Sequence, residues 1–136
     1  MHTTNYRSTF IRIADDCPVQ QAEVPPSQPA SPSVAALQFQ MLWDHPYAYT
    51  SDEVLFGVWA QRQGIPAAEL EAARAQFFSK GQPCFRSSPL TKRYGWGVHS
   101  DAEGRVAIYA AESEAYRRLA EDPALAQVKA MRSKRA

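Results

Sequence analysis

Three cations, three small hydroxyls and two aromatic rings fall within the segment Arg86–Trp96 of a 136-residue chain. Arg86, Lys92 and Arg93 supply charge, Ser87, Ser88 and Thr91 supply hydroxyls, and Tyr94 and Trp96 supply faces on which a base can stack. An arginine fork, a lysine point charge and N–H groups freed by irregular backbone are the parts of an anion site. Gly95 and Gly97 strip one face of the following strand, so a ligand or another backbone can approach there. The same residues fit a plainer arrangement: Tyr94 and Trp96 in a core, the glycines clearing room for a helix, the cations solvated.

Cys84 and His99 form a second candidate. A thiol becomes a nucleophile at neutral pH when a base or cation stands nearby, and Lys80, Arg86 and His99 are the candidates. Pro83 and Phe85 flank Cys84 with apolar surface, the setting of a small buried cysteine. The third is the tail KAMRSKRA, whose four cations can hold phosphate without reading sequence, or can simply be a solvated terminus. The adjacent acids Asp15-Asp16, Asp52-Glu53 and Glu121-Asp122 cannot point the same way along one element, so no acid/base dyad is read. Cys17, Cys84, His2, His45 and His99 show no CxxC or HxxxH spacing, so no metal site is expected. No Walker-type or dinucleotide glycine motif is present, and no cofactor is assigned.

The elements that must position these groups follow from periodicity and punctuation. Thr9–Ala14 (TFIRIA) is β-branched and reads as a strand, ended by Asp15-Asp16-Cys17-Pro18. Residues 23–32 hold four prolines and form an extended linker. Ser31 and Pro32 open a first helix with Val34, Leu37 and Met41 on one face, limited by Pro46. Thr50 to Glu53 is a capping box for a second helix, whose inner stripe is Leu55, Val58, Trp59 and Arg62 and whose stop is Gly64. Pro66 opens a third, with Leu70, Ala73, Arg74 and Phe77 on one face and Lys80-Gly81 at its end. The aromatic set Trp43, Tyr47, Tyr49, Phe56 and Trp59 gathers around the first helix–helix turn, as a core or as the lining of an apolar pocket.

Residues 82–91 are read as irregular because of Pro83 and Pro89. Tyr94, Trp96 and Val98 alternate as a strand, 100–104 is a hairpin loop, and Arg105–Ala110 returns with Val106 and Ile108 inward. Ser113 caps a helix with Tyr116 and Leu119, and Asp122-Pro123 starts a last helix through Leu125, Val128 and Met131. The sum is an α+β fold: a small antiparallel sheet, made of the N-terminal strand and the 94–110 hairpin, against about five helices. It forms one domain over residues 1–136, with the proline linker at 23–32 and a basic tail at 129–136.

Composition adds limits. At 45% hydrophobic and 21% charged, the chain is ordinary globular material. The formal charge of +1 hides a split, with four Lys/Arg against eight Asp/Glu in residues 1–79 and eleven against six in 80–136. That split suits an anionic partner for the second half, or two halves that face each other. No apolar run is long enough for a secretory signal or a membrane span, so a cytoplasmic location with reduced, free cysteines is expected.

The blocks MHTTNY, TFI, DCPV, PYAYTSDEVLF, FFSKGQPC, SPLTKRYGWG and KAMRSKR resemble a family of small bacterial proteins catalogued only as a domain of unknown function. The similarity runs from Met1 to Ala136, with Gly57, Trp59 and the proline linker outside the shared blocks. The resemblance implies a compact bacterial cytosolic protein and carries no activity, ligand or catalytic residue. Three functions remain open from the residues. The first is a non-enzymatic domain that binds a phosphate-bearing small molecule, nucleotide or nucleic acid through the 86–97 loop. The second is a small enzyme using Cys84 or His99 in a pocket near Trp96, and the third a structural or protein-interaction module. The oligomeric state is left open.

Overall fold

The computed structural model describes residues 2–28 and 30–133. Four strands form one sheet: β1 (Thr9–Arg12), β2 (Trp96–Ser100), β3 (Val106–Ala110) and β4 (Ala126–Lys129), in the order β3-β2-β1-β4. Between β1 and β2 the chain forms α1 (Val34–Asp44), α2 (Ser51–Gln63), α3 (Leu70–Phe77) and the short α4 (Pro89–Lys92). The helix α5 (Glu114–Ala120) lies between β3 and β4. The architecture is α+β, as the residue patterns indicate.

One face of the sheet carries the main core. The pleat of β2 sends Trp96 and Val98 to that face, and the register Val98↔Ile108 and Ile11↔Val98 brings Ile108 and Ile11 beside them. Leu37 and Leu42 of α1, Val54 and Val58 of α2, Phe85 and Leu90 close over this layer. Each such side chain stabilises the fold by about 1.5–3 kcal/mol when taken out of water. A second cluster joins α2 to α3 through Phe56, Ala60 and Phe78, with Trp59, Ala73 and Phe77 packed against it.

The opposite face of the sheet is covered by α5, and Gly97 makes this possible. A Cβ on Gly97 would stand 2.6 Å from Phe10 Cζ and 2.6 Å from Tyr116 Cε2, well inside contact distance. Phe10 and Tyr116 meet edge to face at 4.9 Å over the bare strand. Gly95 is required for a different reason: φ is 81° there, and Val19 and the backbone of Ala22 close over it. Gly97 thus clears room for a helix, the plainer of the two expectations, whereas Gly95 admits another stretch of backbone.

Local signals are honoured closely at α2. Thr50 Oγ1 accepts from Glu53 N–H, Glu53 returns to Thr50 N–H, and Gly64 closes the helix at φ 66°. At α1 the cap is Ser33, which accepts from Ala36 N–H, rather than Ser31. Pro89 begins α4 inside the stretch expected to be irregular, with Ser88 as its cap.

The C-terminal expectation is overturned. Residues 126–129 form a strand parallel to β1, pairing Thr9↔Ala126 through Arg12↔Lys129, where a helix was expected. The sheet is therefore mixed, not antiparallel. Leu125, Val128 and Met131 have helical spacing, but Asp122 Oδ1 accepts from Ala124 N–H and turns the chain instead. The unpaired edge of β1 then takes the segment as a strand, with Val128 packed on the core. The expected basic tail begins inside this strand, where Lys129 Nζ bonds Asp15 Oδ2 at 3.2 Å. Its remaining cations, apart from Arg132, lie outside the described residues.

Candidate functional site

The hydroxyls and rings of the 86–97 segment turn inward. Thr91 is fully buried and donates to Phe85 O at 2.6 Å. Ser88 is buried, and Trp96, at 5% exposure, donates its indole N–H to Glu23 O at 2.8 Å. Tyr94 packs half-buried against the main core. Thr91 and Trp96 are thus spent on the fold, while Ser88 and Tyr94 contribute to it from partly accessible positions. Arg86 Nε donates to Lys129 O at 2.8 Å, and Ser87 Oγ donates to Met131 Sδ at 3.0 Å.

Lys92 and Arg93 do meet Ser87 around an open depression of about 530 Å³, together with Pro18, Pro89, Ser133 and the Asp16 carboxylate. Arg86 is not in its lining. Asp16 already accepts from Ser133 N–H at 2.9 Å, and Lys92 stands at the carbonyl end of α4, where the helix favours cations over anions. An anion here meets a carboxylate as well as the cations.

Cys84 and His99 are not brought together. His99 shares the Gly97 face of the sheet, where its Nδ1 lies 2.7 Å from Tyr47 Oη, which in turn lies 2.6 Å from Tyr109 Oη. Tyr47 reaches this position with φ at 60°, an unusual backbone for a bulky residue. Burial lowers the His99 pKa below its ordinary value, opposed by the charges of Asp101 and Asp122. Burial and the hydrogen bond to Tyr109 raise that of Tyr47. Cys84 stands among the helices on the other side of the sheet, its Sγ 3.3 Å from Tyr6 Oη. Burial and the Cys84 contact raise the Tyr6 pKa, while Arg86 acts on the same phenol in the opposite sense. Cys17 and Cys84 are both free thiols.

What the helices and the 82–89 loop do form is a pocket of about 240 Å³. Val34, Leu55, Val58, Trp59 and Phe77 make apolar walls, and Pro83 and Pro89 keep the loop across them. Its polar lining is Gln38, Arg62, Gln63, Gln82, Cys84, Ser87 and Ser88, with no acid and no histidine among the described residues. Gln38 is the notable member, for it is only 3% exposed. Leu90 N–H donates to Ser88 Oγ at 3.1 Å, so the Ser88 proton goes to Gln38 Oε1 at 2.6 Å. That contact orients the amide and leaves the Gln38 NH₂ without a protein acceptor among the described residues. Among the described residues no buried side-chain nitrogen or oxygen lacks a partner, so this NH₂ is open to the pocket, where a group that accepts from it gains one hydrogen bond. Arg62 is exposed, with no ion pair among the described residues.

Of this pocket, the sequence reading named Cys84, Ser87 and Ser88 as site residues and missed Gln38, Gln63 and Gln82. Leu55, Val58 and Arg62 are read from sequence only as the stripe of α2, while Trp59 is also in the aromatic set read as a core or a pocket lining. An arginine on an apolar stripe was the available signal, since a stripe that buries itself completely has no use for a guanidinium. Among the described residues no cluster of three His, Cys, Asp or Glu could hold a metal ion, and no helix is long and apolar enough to cross a membrane.

The fold and pocket define a small α+β protein with a cavity that joins apolar walls to donors and has no acid in its lining among the described residues. The chain belongs to the Family of unknown function (DUF6157), whose match spans residues 1–136. Neither the curated proteins nor the solved structures match the chain.

Proposed function

We propose that the protein is a non-enzymatic binding domain for a small anion with an apolar body, seated in the pocket between α1, α2 and the 82–89 loop. The Gln38 NH₂, which lines the pocket beside its apolar walls with no protein acceptor among the described residues, is the observation that carries this reading. Arg62 supplies a cation at the same pocket, and no carboxylate in its lining opposes an anionic group. Apolar walls with a few placed polar groups are the usual make-up of a small-molecule site. The cavity of about 240 Å³ lies below the range of about 300–1,000 Å³ for typical ligand pockets, so the ligand is of small-metabolite size. Free Cys17 and Cys84 fit a reducing cytoplasmic setting for such a protein.

Thermal unfolding against short aliphatic and aromatic carboxylates and phosphate monoesters tests this, since a ligand of the native state raises the melting temperature by mass action. Arg62→Ala, which removes no hydrogen bond or ion pair among the described residues, is expected to weaken the shift. Gln38→Glu keeps an acceptor for Ser88 and removes the donor, and it is expected to abolish the shift. A panel that leaves the melting temperature unchanged, or a shift indifferent to both substitutions, sinks the reading.

A further inference from the structure

Three chelating side chains meet on the sheet face that carries Gly97. His99 pairs with Ala107 and Tyr109 with Gly97, so His99 and Tyr109 stand diagonally on one face of neighbouring strands. Tyr47 completes the group from the loop between α1 and α2, its Oη 2.7 Å from His99 Nδ1 and 2.6 Å from Tyr109 Oη. Its backbone is pinned to β3, with Tyr47 N–H donating to Val106 O and Val106 N–H to Tyr49 O, both at 2.9 Å. It also holds φ at 60°, a costly conformation for a bulky side chain and one that gathers at functional sites. We propose that Tyr47, Tyr109 and His99 bind a hard trivalent cation, ferric iron, through two phenolate oxygens and one imidazole nitrogen. The site shares no residue with the pocket lined by Gln38 and Arg62, so neither reading depends on the other.

Geometry and charge both suit a metal ion. Bonds of about 2.0–2.2 Å from an ion to oxygen and nitrogen set neighbouring donors about 3 Å apart. The present separations of 2.7 and 2.6 Å therefore open only slightly to admit one. Two of the donors stand on paired strands and the third on a pinned loop, so the set is held before an ion arrives. Negative charge surrounds it: Asp101 acts on both His99 and Tyr47, and Asp122 acts on His99. The neighbouring cation, Arg105, is turned to Ala48 O at 3.1 Å. The donor types then choose among metals. Structural zinc sites are built from thiolate, imidazole and carboxylate, whereas a phenol ligates only an ion acidic enough to displace its proton. Ferric iron does so at neutral pH. Binding sends one proton from each phenol to solvent and leaves the Nδ1 lone pair of a neutral imidazole for the ion, with no change of oxidation state. Two phenolates leave a single positive charge on the centre, which the Asp101 carboxylate faces. All three side chains are half-buried, so water can fill the remaining positions.

The full chain is titrated with ferric nitrilotriacetate at neutral pH and followed by visible absorption and resonance Raman scattering. The expected result is a phenolate-to-iron charge-transfer band that saturates at one ion per chain, with phenolate vibrations enhanced in the Raman spectrum. The melting temperature is expected to rise by mass action. Tyr47→Phe keeps the ring and removes the oxygen common to both contacts, and it is expected to abolish the band. Tyr109→Phe is expected to weaken the band. His99→Gln is expected to lower affinity at least about tenfold, since loss of even an outer-shell partner costs about 10–100-fold. Circular dichroism of the metal-free variants establishes that each is folded, so loss of the band reads the site and not the fold. Absence of a band with the folded wild-type chain overturns the proposal. A band that persists in Tyr47→Phe does so as well, for it shows an adventitious ion only, held by other tyrosines. A thermal shift with zinc chloride and none with the ferric chelate overturns the choice of metal.

Discussion

Thr4 presents its backbone N–H and its hydroxyl to the same carboxylate oxygen of Asp52, at 2.6 and 2.7 Å. Thr3 Oγ1 donates to the other oxygen at 2.7 Å, and Asn5 Oδ1 accepts from Asp52 N–H at 2.9 Å. Asp52 is only 3% exposed and stands in the first turn of α2, where the helix dipole also favours its charge. An acid expected from sequence only to suit a helix start is thus the anchor of the N-terminal segment. It ties two of the sequence blocks, MHTTNY and PYAYTSDEVLF, into one structural unit.

Asp52→Ala leaves the Thr4 N–H buried without its acceptor and the Thr4 hydroxyl with only Ser51 Oγ, at 2.8 Å. Hydrogen bonds to charged groups contribute about 1.5–3 kcal/mol each, and they are not additive here, so a loss of about 3 kcal/mol is expected. Urea unfolding reads this as a lower midpoint. A loss below about 0.5 kcal/mol, the range of ordinary surface substitutions, would show that the segment is not held by this contact.

Gly97→Ala forces a methyl against Phe10 and Tyr116, both already in contact with each other. Overpacking of this kind costs about 1–3 kcal/mol. The same substitution at Gly81, whose Cβ would meet only a histidine ring nitrogen at 3.9 Å, is expected to be near neutral. Thermal unfolding of the two variants side by side makes the comparison.

Stability is expected to fall at both ends of the pH range. His99 titrates below its ordinary 6.5 in the folded protein, so the unfolded chain binds more protons in that interval. Its contribution is full above pH 6.5 and is lost as pH falls through the lower folded value. Tyr47, Tyr6 and Tyr116 are raised above 10.0 by burial, so their contribution is full below pH 10 and is lost as pH rises beyond it. His99→Gln is expected to flatten the acid limb, and Tyr47→Phe the alkaline one. Unfolding midpoints measured across the range check each separately, and unchanged limbs would remove these groups as the cause.

Ser88 links stability to the pocket. Ser88→Ala removes the cap of α4 and frees the Gln38 amide to turn, so two effects are expected together. Loss of the cap costs about 0.5–2 kcal/mol. Binding of a short aromatic carboxylate in the pocket weakens as well, because the donor is no longer oriented. Calorimetric titration separates this from the loss of stability, and unaltered affinity in the folded variant would contradict the oriented-amide argument.

Sequence legibility followed the range of the contacts. The capping box of α2 closes over three residues, from Thr50 to Glu53, and could be read from them alone. The hairpin β2–β3 was equally plain, because its alternation and its Gly104 turn are local. By contrast, Ser88 reaches Gln38 across the fold, and a hydroxyl beside three cations looks the same whether it faces a ligand or another helix. That ambiguity made the 86–97 segment look like a site when half of it is core. β4 was misread for a related reason. Its apolar spacing fits a helix, and the deciding partner is β1, at the other end of the chain. The pocket was partly visible as the stripe of α2, yet only the loop folded across it turns that stripe into a cavity.

The sheet order carries a consequence for how the protein is made. β1 lies between β2 and β4, so the earliest strand to leave the ribosome is flanked by two of the later ones. Its antiparallel partner arrives with residues 96–100 and its parallel partner only with residues 126–129. Throughout synthesis the backbone of Thr9–Arg12 is an open edge able to pair with a neighbouring chain. The Asp52 clamp on Thr3 and Thr4 becomes available before either partner strand, and it holds the adjoining segment against α2 in that interval. Weakening it should therefore show first as aggregation of newly made protein, before any change in the finished fold is seen.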